Sequence, residues 1–81
     1  MSKLLDGFRK GKNNIKDIYN GFKVIKDEKA IRQHVKELYC FIYNEIEKEI
    51  SSGNDDNLRL LFLYGCRFQC RKICKELHII E

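Results

Sequence analysis

The chain has 81 residues, 43% of them hydrophobic and 35% charged, with a net charge of +4. That length allows one small domain, and this balance of apolar and charged residues excludes an unfolded polar chain. No apolar run reaches the ~18–20 residues that cross a bilayer, and the N-terminus lacks the apolar stretch of ~7–15 residues that marks a secretory signal.

The expected setting is therefore cytoplasmic, where four cysteines stay reduced. The charge is uneven. Residues 1–26 carry seven Lys/Arg and two Asp, residues 27–57 four Lys/Arg and eight Asp/Glu, and residues 58–81 five Lys/Arg and two Glu. Basic ends and an acidic middle can pair within a fold, or present a basic surface to an acidic partner.

In residues 1–12, Leu4, Leu5 and Phe8 stand among Lys3, Arg9, Lys10 and Lys12. Gly7 and Gly11 each cost about 1 kcal/mol inside a helix, so this segment reads as a short or frayed helix, a flexible basic arm. Asn13 or Asn14 can cap the next helix. Ile15, Ile18, Phe22 and Ile25 step by three, four and three, which predicts a helix from about 14 to 26. The apolar phase also extends back to Phe8 and Leu4, so one long bent helix is the alternative.

Asp27 is a good N-cap for a helix over 28–51. Its seam is Ile31, Val35, Leu38, Ile42 and Ile46. The run Tyr39-Cys40-Phe41-Ile42-Tyr43 is apolar all round, with Cys40 roughly 180° from the seam. Ser51-Ser52-Gly53-Asn54 is the clearest break, Gly53 suits a left-handed cap, and Asn54 or Asp55 can open the last helix.

That helix reads as Asp56 to Ile80. Leu63, Cys66, Cys70, Ile73, Leu77 and Ile80 form its main seam, and Leu61, Tyr64, Phe68 and Ile79 lie roughly opposite. A helix apolar on two faces needs cover on two sides. The expected fold is all-α: a three-helix antiparallel up-down bundle or hairpin with a short N-terminal helix, one domain over 1–81. The surplus apolar surface of Phe41, Tyr43, Leu61, Tyr64 and Phe68 marks a partner interface, in a homodimer or with another protein.

Three constellations could carry chemistry. Cys66, Cys70, Cys74 and His78 recur every four residues, and neighbours could share a soft metal. The first and last are about 18 Å apart along a helix, so one ion cannot take all four. The simpler reading is that Cys66 and Cys70 are small core hydrophobes. A disulfide or a metal site is the alternative, and no cofactor is expected. Second, Arg67, Arg71 and Lys75 form a basic ridge, with Arg9, Lys10 and Lys12 as a second cluster. These could meet phosphates or carboxylates of a protein, or form a solvated face that pairs with the acidic middle helix. Third, the N-terminal apolar and basic residues could touch an anionic membrane, although the glycines weaken this.

Nothing in the chain suggests catalysis or a small-molecule substrate. It has no Gly-rich phosphate loop and no nucleophile beside an evident His and acid. His34 sits on a largely wet face. The leading expectation is a small non-enzymatic adaptor or regulator acting through protein–protein interaction, by analogy with small accessory proteins of viruses and mobile elements. A nucleic-acid-binding helical dimer and a thiol-based metal or redox protein are the alternatives.

Overall fold

The computed structural model describes residues 3–53 and 57–79. These form three helices, α1 (Lys3–Lys23), α2 (Glu28–Ser51) and α3 (Asn57–Glu76), with no strand among the described residues. The expected caps Asn54 and Asp55, and Ile80 of the predicted seam, lie outside the described residues.

α1 is one continuous helix, not a short piece followed by a helix over 14–26. It also stops earlier, at Lys23, and Lys26 takes a left-handed conformation (φ 59°) before α2 begins. α2 matches its expected bounds. Asp27 Oδ1 accepts hydrogen bonds from the backbone N–H groups of Lys29 (3.1 Å) and Ala30 (3.3 Å), a cap contributing about 1 kcal/mol. Gly53 closes its C-terminal end with φ 68°.

α3 ends four residues sooner than its apolar pattern suggests. The backbone N–H of Ile79 donates to the Cys74 carbonyl (2.8 Å) and that of His78 to the Lys75 carbonyl (3.1 Å). These are the two bonds of a Schellman cap. His78 holds the left-handed position with φ 59°, where glycine fits without the roughly 1–2 kcal/mol cost to a side-chain-bearing residue. Hydrophobic periodicity continues through Ile79, but the backbone has already turned.

α3 lies between the other two helices, and α1 and α2 scarcely meet. One of their contacts is the Phe22 ring stacked on His34, centroids 5.2 Å apart. The α1–α3 interface is the larger one, and glycines make it. A Cβ on Gly11 would collide with the Phe62 carbonyl and come 2.9 Å from the Cys66 nitrogen. A Cβ on Gly65 would collide with the Phe8 carbonyl. The two backbones therefore touch where neither carries a side chain. Contacts such as these offset the intrinsic helix cost of Gly7 and Gly11, so the expected fraying of residues 1–12 does not set the helix boundary.

The core is Ile15 of α1, Val35, Ile42 and Ile46 of α2, and Leu63, Cys66, Cys70, Ile73 and Cys74 of α3. The small thiol of Cys70 lies against the α2 backbone. Cys70 Sγ donates to the Val35 carbonyl at 3.9 Å. Arg59 ties α3 to α2 through Glu49 (2.8 Å) and Glu45 (3.8 Å). Its side chain is half exposed, so the pairs contribute about 0–1 kcal/mol.

Two contrasts test this packing in thermal or urea unfolding followed by circular dichroism. Gly11→Ala and Gly65→Ala each destabilise by about 1–3 kcal/mol or more, because backbones must separate. Gly21→Ala, whose Cβ meets nothing within 4 Å, stabilises by about 1 kcal/mol. Equal tolerance at all three positions would contradict the glycine crossing. Separately, His78→Gly raises stability by about 1 kcal/mol.

Candidate functional site

α1 and α2 cover the flanks of α3 and leave its outer face open. At 100° per residue, that face carries Leu60, Leu61, Tyr64, Arg67, Phe68, Arg71, Lys72 and Lys75. The first four are half-buried and the last four exposed. From Asn57 to Lys75 the helix contains no Asp or Glu. Its one acid, Glu76, lies near Tyr19 of α1, whose hydroxyl is pushed up chiefly by burial and then by that carboxylate.

The open face is edged by aromatic rings that already hold cations. On the α1 side, Phe8 and Phe68 meet with centroids 5.7 Å apart, and Lys12 Nζ lies 5.3 Å from the Phe68 centroid and 6.0 Å from that of Phe8. On the α2 side, the Arg67 guanidinium lies 5.0 Å from the Tyr64 ring and 5.8 Å from Tyr43. Tyr43 in turn meets Tyr39 edge-on at 5.2 Å. Each cation–π contact contributes about 0.5–1 kcal/mol at such exposed sites, and the rings set the direction of the charges. Burial, followed by the hydrogen bond with Tyr43, raises the Tyr39 pKa, and Arg71 lies near enough to oppose that rise. Phe68, Arg71, Lys72 and Lys75 line a shallow concavity of about 430 Å³. Among the described residues, no ion pair joins Arg67, Arg71, Lys72 or Lys75 to a carboxylate.

The residues singled out from the sequence divide into groups. Tyr43 and Tyr64 meet at Arg67. Phe68 sits with Lys12, and Leu61 lies beneath Gly7, whose Cβ would come 3.9 Å from it. Phe41 is elsewhere. It is 60% exposed and lines a separate groove on α2 with Gln33, Lys36, Glu37, Cys40 and Asn44. Of the basic residues, Arg71 and Lys75 share the concavity beside Phe68. Arg9 is exposed, and Lys10 borders a different hollow with Asp6, Gly7 and Leu58. The six cations therefore do not converge on one point. Sequence reading missed the Phe8–Lys12–Phe68 cluster. Phe8 and Lys12 are one turn apart, but nothing in the chain announces which helix they meet.

Three of the four thiols lie in the core. Cys66, Cys70 and Cys74 are buried and Cys40 is exposed, with all four free. Burial pushes Cys66 up to about 11 and Cys70 up to about 12, the latter helped by neighbouring Cys74 and Cys66, and it raises Cys74 as well. Near neutral pH these groups are thiols rather than the thiolates that attack or bind metal. His78 is exposed in the helix-ending turn. Among the described residues no three His, Cys, Asp or Glu side chains gather as a metal site, and no helix is long and apolar enough to cross a membrane. Comparison with protein-family models, curated proteins and solved structures gives no match.

Folded-state pKa values above the ordinary value of 9.0 fix the sign of an alkaline effect. The unfolded chain loses its thiol protons first. The thiols' contribution is fully present below about pH 9 and falls as pH rises toward 11–12, by at most about 1.4 kcal/mol per pH unit for each thiol. Denaturant midpoints measured across that range decline, and replacing Cys66 and Cys70 by Ala flattens the slope. In the native state a thiol reagent modifies Cys40 alone. Rapid native labelling of the other three would contradict their burial.

Proposed function

We propose that this chain is a small non-enzymatic adaptor or regulator that binds another protein through the outer face of α3. One observation carries the reading. After α1 and α2 have covered the flanks of α3, exposed Phe68 and half-buried Leu61 and Tyr64 stand beside Arg67, Arg71 and Lys75, with no carboxylate on that strip among the described residues. Apolar surface and cations without carboxylate partners on one ridge suit a protein that supplies both apolar contact and negative charge.

The topology that best accounts for the contacts is up-down-up. Arg59 with Glu49, Arg67 with Tyr43, Cys70 with Val35 and His78 with Arg32 run in opposite senses along α3 and α2. Gly7 near Leu58 and Gly11 near Phe62 run in the same sense along α1 and α3. In this arrangement the outer face of α3, from Leu60 to Lys75, runs about 23 Å along the helix axis. A cytoplasmic setting, with thiols reduced, belongs to the same reading.

Self-association through this ridge is disfavoured. Two copies would bury several cations with no carboxylate opposite, and desolvating unpaired charge is costly. Surplus apolar surface on α3, from which the sequence pattern points to a homodimer, is also reduced by the cover that α1 and α2 provide.

The test is a photo-crosslinking residue at position 68 or, as a control, at exposed Asn20, in the cells that produce the protein. A protein adduct from position 68 and none from position 20 is expected. Adducts only to nucleic acid, only to a second copy of the chain, or equally from both positions would contradict the proposal.

A further inference from the structure

Resting on that reading, we propose that the partner element is an acidic amphipathic helix lying along the outer face of α3 beside Lys12, its apolar stripe on Leu61, Tyr64 and Phe68 and its carboxylates on Lys12, Arg71 and Lys75. The division of the ridge carries the assignment. Leu61, Tyr64 and Phe68 step by three and four residues, the spacing that meets a second helix. Phe68 is 53% exposed, a large apolar area to leave in water. Just beyond it, Arg71, Lys72 and Lys75 are exposed around the shared concavity. A partner helix thus meets apolar contacts toward the start of α3 and cations toward its end.

Charge complementarity selects the sign of the partner. The cations on this ridge have no carboxylate paired with them among the described residues. Lys12 is braced over Phe8 and Phe68, and Arg67 over Tyr43 and Tyr64. Bracing fixes where Lys12 and Arg67 stand, so less side-chain entropy is lost when carboxylates meet them. Carboxylates at i and i+3 or i+4 of a helix match such spacing.

The same geometry disfavours single-stranded nucleic acid, which also carries negative charge. Base binding needs free ring faces on which to stack. Here Lys12 stands over Phe8 and Phe68, those rings tilt against each other, and Arg67 stands over Tyr43 and Tyr64, so each ring has fewer open faces for a base than its exposure alone suggests. The side chains of Leu61, Tyr64 and Phe68 offer phosphates no charge, whereas the apolar side of a helix fits them.

The experiment measures fluorescence anisotropy of a labelled peptide of about 20 residues with Leu along one helical face and Glu over the rest, in about 0.15 M salt. Saturable binding to the full chain is expected. Phe68→Ser, and separately Arg71→Glu with Lys75→Glu, weaken it by about tenfold or more. Phe41→Ser, on the outer face of α2, leaves it unchanged. Circular dichroism keeps the comparison to folded variants. A companion peptide with Gln for every Glu binds at least about tenfold more weakly.

Absent binding, equal binding of the Gln peptide, or insensitivity to both ridge variants would overturn the proposal. Tighter binding of a single-stranded oligothymidine, lost in the same variants, would overturn it in favour of nucleic acid. If the peptide fails while position 68 still captures a protein in cells, the interaction module stands and only the helical, acidic partner falls. If both fail, the reading beneath it falls as well.

Discussion

The fold depends on the backbone crossing of α1 and α3 at Gly11 and Gly65. Side chains normally hold helix axes about 8–10 Å apart, and glycine permits closer approach. At this crossing a single methyl group on either glycine would meet a carbonyl of the other helix. The consequences reach beyond that point. Ile15, one turn after Gly11, becomes fully buried, Phe8 is brought against Phe68, and Lys12 is placed over the rings. The α1 edge of the proposed binding ridge is thus a product of the crossing.

α2 approaches α3 by a related device. Cys66, Cys70 and Cys74 are small, buried and protonated, and they give a low surface into which Val35 and its neighbours fit. α3 is therefore slim on its inner side at Gly65 and at the three thiols. Gly65, Cys66, Cys70 and Cys74 are buried on the inner side together with Leu63 and Ile73, whereas Tyr64, Arg67, Phe68 and Arg71 lie on the outer side or its edges. That division separates the surface that folds the chain from the surface left for binding, and it leaves Phe68, 53% exposed, outside the core.

Local chemistry makes part of this legible in the sequence. Asp27 and Gly53 mark the ends of α2 through groups within a few residues of them, and the isoleucine seam of that helix needs no knowledge of the rest of the chain. The main seam of α3 is equally readable, because Leu63, Cys66, Cys70 and Ile73 follow helical spacing. Gly7 and Gly11 look like weakness because intrinsic propensity is local, while their role depends on a helix more than forty residues away. The apolar rhythm places the end of α3 too late, because Leu77 and Ile79 keep it up while His78 turns the backbone. As for the surface, Arg67, Arg71, Lys75 and Phe68 are visible as a ridge. The contacts of Phe68 with Lys12 and of Arg67 with Tyr43 are not, since they join three helices whose relative positions only packing decides.

The central claim is that both flanks of α3 are closed within one chain, so that only its outer ridge awaits a partner. Light scattering on the purified, reduced protein as it leaves a size-exclusion column tests this most directly. The mass of a single chain, unchanged as concentration rises, is the predicted result. A dimer that persists on dilution and separates only on unfolding would mean that the flanks of α3 are closed by a second copy, and would contradict the account.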